Sequence, residues 1–430
     1  MLEIIRYILQ FMVGERYPDD VTRLVGYTSD VNLFAEYKVV IIKSDFFNED
    51  VYGTIKTKPI LPLQTIEGLP FLFGTPEIER VGETIVVHAD LVTSAYFLLT
   101  RYEEILHRDI RDACGRFPGR ESLPYRAGFI DRPIVDEYGK LIRKLLNNNG
   151  VSLLPSALSI RKINLTHDVD APFDCRTWRN VARKIFSRQN PLNAIRLKYG
   201  TLENDPYYTF PWLLQQNSKL QLTSKENLCR SLLFFKAGGG TKKDKPQYDL
   251  YGKDIRALFA LCREQGVTVG LHSSFEAGIN PSLIASEKRK LANAYGTTII
   301  HNRHHFLSSR EPEDMEYLEK ENFTDDYSMG YADVAGFRLG TSLPVHYINP
   351  VARRLSSLTL HPLIIMDGTL SNKAYMNLTA EKAVNYCKRL IHHIRLVNGE
   401  LTLLWHNTSV TEQNGGYHKS LYKKLLEEII

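Results

Sequence analysis

Apolar residues recur along the chain with two different periods, and these periods predict where helices and strands lie. In the first dozen residues, Leu2, Ile5, Ile8, Leu9 and Met12 fall at helical spacing and predict an amphipathic helix. From about residue 160 onward, short apolar runs alternate with longer helical patterns. This alternation is typical of βα units and predicts a largely parallel sheet or barrel.

The predicted elements divide the chain into two parts. Before residue 150 the pattern predicts strands at 37–42, 70–73 and 84–88 and helices at 91–106 and 133–146. After residue 160 it predicts strands at 163–165, 232–236, 267–271, 297–300, 363–366 and 401–405, and helices at 252–265, 281–294, 312–321, 379–397 and 417–430. Because Gly150 is a natural stop for helix 133–146, we predict a smaller N-terminal α/β domain over 1–154 and a second domain over 155–430. Residues 177–228 are the least regular part of that second domain.

Composition and charge are those of an ordinary globular protein. Hydrophobic residues make up 43% of the chain and charged residues 24%, which leaves enough apolar side chains for a sizeable core. The net charge of +5 is small for 430 residues and does not call for a nucleic-acid partner. The five cysteines are scattered and lack C-x-x-C spacing, which argues against a disulfide framework and a zinc ribbon.

The sequence predicts neither a secretory signal nor an integral membrane segment. Glu3 and Arg6 interrupt the first apolar run, and no small-residue cleavage site follows it. No stretch approaches the length of about 18 apolar residues that a membrane span needs. These features predict a cytoplasmic location.

Polar residues stand at or just past the ends of several predicted strands. They are Asp168, Asp170, His272, Arg303, His304, His305, Asp367 and His406. In a βα fold such strand ends lie at one edge, so residues more than two hundred positions apart can share a pocket. A carboxylate and imidazoles can hold a divalent metal, a second carboxylate can take a proton from water, and a separate histidine can protonate a leaving group. The pattern therefore favours metal-dependent hydrolysis.

Residues 160–410 resemble the polysaccharide deacetylase family in four short motifs. Residues 166–170 (THDVD) are similar to its T-F-D-D-G motif, and residues 272–276 (HSSFE) to its H-S-x-x-H motif. Arg303 and His406 match the arginine and the strand-end histidine of its later motifs. Residues 97–104 (FLLTRYEE) and 336–341 (GFRLGT) resemble a bacterial branch with an N-terminal accessory domain, whose members belong to surface-polysaccharide synthesis.

The resemblance implies a distorted (β/α) barrel and assigns a role to each matching residue. Asp168 would be the general base, Arg303 would orient it, and His406 would be the acid. Asp170 and His272 would be metal ligands, with zinc as the expected metal and manganese, cobalt or nickel as alternatives. The expected activity is that of a hydrolase acting on carbon–nitrogen bonds other than peptide bonds, which removes N-acetyl or O-acetyl groups from a glycan or glycan precursor.

The third metal ligand is the point at which this chain departs from the family. Glu276 stands where the family has a second histidine, and it could coordinate through its carboxylate. His305 or His304 could reach the metal from the next strand end instead. We favour His305, because two imidazoles and one carboxylate are a common catalytic set. The alternatives to a carbohydrate deacetylase are a non-catalytic glycan-binding or assembly protein on a degenerate barrel, and an enzyme that hydrolyses a non-sugar amide.

Overall fold

The computed structural model describes residues 1–14, 23–186, 190–223, 228–411 and 416–429. Within them the strands are β1 (Val25–Tyr27), β2 (Val39–Ile41), β3 (Thr65–Ile66), β4 (Leu69–Pro70), β5 (Gly74–Val81), β6 (Thr84–Ala89), β7 (Lys162–Val169), β8 (Cys229–Phe235), β9 (Thr268–Ser273), β10 (His301–His304), β11 (Asp325–Met329), β12 (Val345–Asn349), β13 (Arg354–Pro362), β14 (Ile365–Met366) and β15 (Glu400–Leu404).

The α-helices of the same residues are α1 (Leu2–Val13), α2 (Leu91–Leu99), α3 (Tyr102–Leu106), α4 (Leu123–Arg126), α5 (Ile134–Asn148), α6 (Trp178–Phe186), α7 (Pro191–Tyr199), α8 (Phe210–Thr223), α9 (Lys253–Glu264), α10 (Ile284–Tyr295), α11 (Met315–Lys320), α12 (Asp367–Ser371), α13 (Ala380–Leu396) and α14 (His418–Ile429). Among these described helices, none combines the length and the apolar character that crossing a bilayer requires. The mixed α/β class predicted from the sequence is confirmed.

The chain forms two compact units. Unit 1 comprises residues 1–161, 307–364 and 389–401, and unit 2 comprises residues 162–306, 365–388 and 402–430, apart from the undescribed positions. In unit 1 the N-terminal segment packs with residues from beyond position 307, as in the hydrogen bond from the Val135 amide to the Gly340 carbonyl. The predicted domains, residues 1–154 and 155–430, stay a prediction.

Unit 2 is built on a parallel sheet in the order β10-β9-β8-β7-β15-β14. The pairs β10/β9, β9/β8, β8/β7 and β14/β15 are all parallel. Leu232 to Phe235 in β8 are fully buried. The parallel arrangement agrees with the sequence pattern, whereas closure into a barrel stays a proposal.

One predicted strand of unit 2 is misplaced. The sequence predicts a strand at 297–300, but the strand lies at His301–His304. Asn302, Arg303 and His304 are buried in it although all three are polar. Apolar periodicity cannot mark such a strand, because its side chains are held by polar partners instead of an apolar core.

Unit 1 contains a sheet in the order β1-β2-β6-β5, in which only β5/β6 is antiparallel. Strand β13 pairs with β11 in parallel and with β12 in antiparallel fashion. The predicted helix 91–106 is wrong in one respect: it is interrupted at Arg101, whose backbone is left-handed with φ of 58°. This break lets the Arg101 guanidinium donate to both the Glu104 carboxylate and Ser309.

A buried histidine joins two acidic side chains inside unit 1. His361 lies with Nε2 at 2.7 Å from the Asp325 carboxylate and Nδ1 at 2.8 Å from the Glu400 carboxylate. The Tyr327 ring stacks on the imidazole with 4.4 Å between ring centroids. Burial alone would lower the pKa of His361, but the hydrogen bonds and charges of the two carboxylates raise it above its ordinary value.

We expect His361→Asn to lower the free energy of unfolding by about 3–5 kcal/mol at about pH 6, the usual cost of removing one partner from a buried ion pair. Because the pKa is raised in the folded state, this contribution is complete below the unfolded value of about 6.5 and is lost as pH rises through the folded pKa. Urea denaturation across this pH range measures it. The control is His392→Asn at an exposed position of α13, and equal losses in both variants would contradict the prediction.

Candidate metal centre

Strand β7 carries two aspartates to the carboxyl edge of the unit 2 sheet. Because strand side chains alternate between faces, Thr166, Asp168 and Asp170 share one face, while Leu165 and Val169 lie on the other. Both faces are buried along β7, as expected for a parallel strand covered on each side. The polar face therefore ends in two carboxylates, with Asp170 just past the last strand residue.

Two histidines from the neighbouring strands meet Asp170. His272 lies in β9 and His305 directly follows β10. The Nε2 atoms of His272 and His305 lie 3.1 Å and 3.3 Å from Oδ1 of Asp170. One donor atom from each of the three residues lies within 4.8 Å of the other two. The structure thus brings together the three residues predicted as ligands, although their binding of a metal stays a prediction.

The donor atoms of this group face one another with lone pairs, an arrangement that suits a bound cation. Nδ1 of His272 lies 3.0 Å from the Arg303 carbonyl oxygen, which can only accept, so Nδ1 carries a hydrogen and the tautomer with this hydrogen alone has its lone pair on Nε2. That lone pair faces Oδ1 of Asp170, and both atoms are buried without a hydrogen-bond partner among the described residues. A divalent cation would satisfy both atoms, and a histidine ligand normally donates its other nitrogen to a carbonyl or carboxylate in this way.

Glu276 and His304, the alternative third ligands, are placed differently. Oε2 of Glu276 accepts a hydrogen bond of 2.6 Å from the Gly240 amide, so its carboxylate is directed at the loop that follows β8. His304 follows Arg303 within β10. Because side chains alternate along a strand, the His304 side chain lies on the opposite face from Arg303. The geometry therefore favours His305 over both alternatives.

Asp168 is held by a buried arginine. One terminal nitrogen of Arg303 donates to Oδ1 of Asp168 at 3.0 Å and to the Thr166 hydroxyl at 2.8 Å. The guanidinium is fully buried and lies 4.6 Å from the centroid of the Phe234 ring. Oδ2 of Asp168 remains directed toward His272, 3.5 Å from its Nε2. The carboxylate is thus fixed beside the group of candidate ligands.

His406 faces the same space from the opposite side and forms a pair with Asp367. Its Nδ1 lies 2.7 Å from Oδ1 of Asp367, and its amide donates to Oδ2 at 2.8 Å. Its Nε2 lies 3.6 Å from Oδ2 of Asp170. Burial alone would lower the pKa of His406, but the charge and hydrogen bond of Asp367, with smaller contributions from Asp170 and Asp168, raise it to about 10. The ring therefore carries a proton that it can donate at neutral pH.

Asp244 is part of this site although no sequence pattern marks it. Its Oδ1 lies 3.5 Å from Nδ1 of His305 and accepts the Phe275 amide at 2.6 Å. Burial opposes ionisation of Asp244, but hydrogen bonds from His305, Thr241 and the Phe275 amide lower its pKa to about 2. Burial also lowers the pKa of His305, and the charge of Asp170 and the hydrogen bond to Asp244 only partly offset this. The ring is therefore neutral and can offer an electron pair to a metal.

The close packing around Asp244 explains the glycine at position 239. A Cβ at Gly239 would lie 2.3 Å from Cγ of Asp244, and the Gly239 backbone has φ of +90°. Only glycine tolerates both conditions without strain. The loop that follows β8 is therefore shaped to bring Asp244 next to His305, and this contact joins residues 61 positions apart.

We expect Asp244→Asn to weaken metal binding by about 10- to 100-fold, the usual effect of altering the partner of a ligating histidine. The asparagine oxygen can still accept the Phe275 amide, but the amide nitrogen that replaces Oδ2 can no longer accept the Thr241 hydroxyl, which donates to Asp244 at 2.7 Å. Calorimetric titration with Zn²⁺ measures the affinity, and thermal unfolding of the metal-free protein reports any structural loss. Asp249→Asn, at an exposed position of the same loop, is the control. Unchanged affinity in Asp244→Asn would exclude this positioning role.

Comparisons with known proteins identify similarity in part of the chain. Residues 3–150, less than half of the sequence, match a model described as a family of unknown function (DUF7033). The comparison with curated proteins gives no match. Among solved structures, the chain is similar to a Mycobacterium smegmatis protein provisionally described as a polysaccharide deacetylase, with 13% identity, a TM-score of 0.40, and coverage of 65% of this chain and 86% of that chain. At this level the structural likeness carries no argument about function.

Proposed function

We propose that unit 2 is a metal-dependent deacetylase that removes N-acetyl or O-acetyl groups from a glycan or glycan precursor, on a distorted (β/α) barrel. The observation that carries the proposal is the placement of one candidate base and one candidate acid on either side of Asp170, His272 and His305. Hydrolysis of an amide needs this combination, because water must lose a proton and the departing amine must gain one.

The metal-ligand group and the two flanking residues divide the work of hydrolysis. A divalent cation held by Asp170, His272 and His305 would polarise the acetyl carbonyl and make water more acidic. Asp168, fixed by Arg303, accepts a proton from the water as its oxygen bonds to the acetyl carbon. His406 gives its Nε2 proton to the sugar nitrogen as the carbon–nitrogen bond breaks. The products are acetate and the free amino sugar, or a free hydroxyl in the case of an O-acetyl group.

Asp367 keeps His406 ready for this role. Its carboxylate accepts from Nδ1, so the remaining proton of the ring is on Nε2, the nitrogen that faces Asp170. Burial opposes ionisation of Asp367, but the charge and hydrogen bond of His406 hold its pKa below its ordinary value. The pair therefore orients the acid and stabilises its protonated form.

A cavity of about 220 Å³ offers room for a sugar beside the strand end of β7. Phe173, Arg176, Tyr248 and Lys253 are among the residues that line it. The Tyr248 hydroxyl donates to the carbonyl of Val169 at 2.8 Å, which places this wall next to the aspartates. Aromatic faces combined with a few polar groups are typical of small-molecule sites.

Metal analysis of the purified full chain, combined with a screen for acetate release, tests the proposal. We expect a bound divalent metal and release of acetate from acetylated sugars, abolished by a chelator and restored by Zn²⁺, Mn²⁺, Co²⁺ or Ni²⁺. Glycan binding without metal and without acetate release would favour the non-catalytic alternative instead. Acetate release from simple amides but from no sugar would favour a non-sugar amide as the substrate. The proposed hydrolytic role of the site would still stand.

A further inference from the structure

Helices α6 and α7 of unit 2 each present an apolar stripe to solvent. On α6 the stripe consists of Trp178, Ile185 and Phe186, which are 60%, 42% and 87% exposed. Their spacing of seven and eight residues places them on one side of the helix. Soluble proteins rarely expose a cluster of large apolar side chains. Such a cluster commonly marks an interaction surface.

The second helix repeats the arrangement. On α7, Leu192, Ile195 and Tyr199 are 77%, 39% and 67% exposed, and their spacing of three and four residues again defines one side. The Trp178 and Tyr199 rings are in contact, with 6.0 Å between centroids, so the two stripes meet.

These stripes are not needed to hold the two helices together. Val181 of α6 packs with Ala194 and Leu197 of α7 and with Cys175 in a separate buried cluster. The Cys175 thiol also lies 3.4 Å from the Ala194 carbonyl. Each helix therefore has one apolar side that packs internally and a second that remains exposed, which is an energetic cost unless something covers it.

The same segment is strongly basic. Residues 176–186 and 190–200 contain six lysines and arginines and no acidic residue, whereas the whole chain has a net charge of only +5. Two of the six, Arg176 and Lys184, are nearly buried and pair with Asp205 and Asp174, so they do not add to the charge offered to a lipid surface. Nζ of Lys198 lies 4.9 Å from the Trp178 ring centroid and 4.5 Å from that of Tyr199. Aromatic rings next to a lysine stem are suited to the boundary between lipid headgroups and acyl chains.

We propose that the α6–α7 pair binds the surface of a membrane rich in anionic phospholipids. The basic side chains would neutralise lipid phosphates, and the apolar stripes would enter the headgroup region without spanning the bilayer. A second copy of the chain fits the surface poorly, because two such basic segments would repel each other. A nucleic acid would leave Phe186 and Leu192 without an apolar environment. This interaction does not depend on the proposed hydrolysis.

Sedimentation of the full chain with vesicles tests the proposal. We expect binding to phosphatidylcholine vesicles that contain about 30% phosphatidylglycerol to be at least about tenfold tighter than to pure phosphatidylcholine, and to weaken with added salt. Phe186→Ser with Leu192→Ser should reduce binding by about tenfold or more. The control, Ile60→Ser with Leu154→Ser, changes equally exposed apolar residues of unit 1 and should leave binding unchanged.

Two further variants separate the charge and apolar contributions. Arg183→Glu with Arg196→Glu should remove the preference for the anionic vesicles. Tryptophan fluorescence should shift to shorter wavelength on binding, and Trp178→Phe should abolish the shift while preserving binding, because Trp212 is half-buried and Trp405 is fully buried. The proposal is overturned if the vesicles are not bound, if the control pair loses as much binding as the stripe variant, or if the stripe variant instead dissociates a dimer in sedimentation velocity.

Discussion

Asp168→Asn is expected to lower the turnover of acetate release by about 10²- to 10⁴-fold, the usual contribution of a general base. Asparagine keeps the shape of the side chain, and its amide oxygen can still accept from Arg303, which donates to Asp168 at 3.0 Å. It cannot accept a proton from water at neutral pH. Steady-state kinetics and elemental analysis of the same preparation measure turnover and metal content together.

Two variants make the Asp168 result specific. Asp170→Asn should lose metal and activity together, since Oδ1 of Asp170 faces both imidazoles. Glu264→Gln, at an exposed glutamate of unit 2, should change neither. Substantial turnover in Asp168→Asn with normal metal content would mean that another group takes the proton from water. Loss of metal in Asp168→Asn would mean that Asp168 is itself a ligand.

The sequence predicts the part of the site that follows apolar strands. Strand β7 is apolar enough for its alternation to be read, so the position of Asp168 and Asp170 at its end could be predicted. The same holds for His272, which follows the apolar core of β9, and for His406, which follows β15. In these cases local periodicity is sufficient, because the burial of the strand depends on its own side chains.

The sequence fails where burial depends on partners far along the chain. Strand β10 is polar, and its residue Arg303 is buried by Thr166, Asp168 and Phe234 of other strands. Asp244 lies in a loop between lysines and is buried among partners that include His305, the Phe275 amide and the Thr241 hydroxyl. Polar side chains of this kind resemble solvated loop residues until the three-dimensional structure supplies their partners.

The variants His305→Ala and Glu276→Gln should have opposite effects on metal binding. We expect His305→Ala to weaken Zn²⁺ binding by more than about 100-fold, the upper limit seen when only an outer partner of a ligand is changed. Glu276→Gln should leave the affinity almost unchanged, because Oε2 of Glu276 is engaged by the Gly240 amide at 2.6 Å. Competition with a chromophoric chelator measures both affinities, and the unfolding temperatures of the metal-free proteins control for damage to the fold.

The reverse pattern would place Glu276 among the ligands and would require its hydrogen bond to Gly240 to break. It would also have a chemical signature. A carboxylate in place of the neutral His305 imidazole neutralises more of the cation's charge, so water at the site becomes less acidic. The rising limb of the pH–rate profile would then lie at higher pH than with two imidazoles and one carboxylate as ligands. If neither substitution changes the metal content, the third position has no protein ligand. The non-catalytic alternative then gains support, because fewer protein groups would hold the metal that the reaction needs.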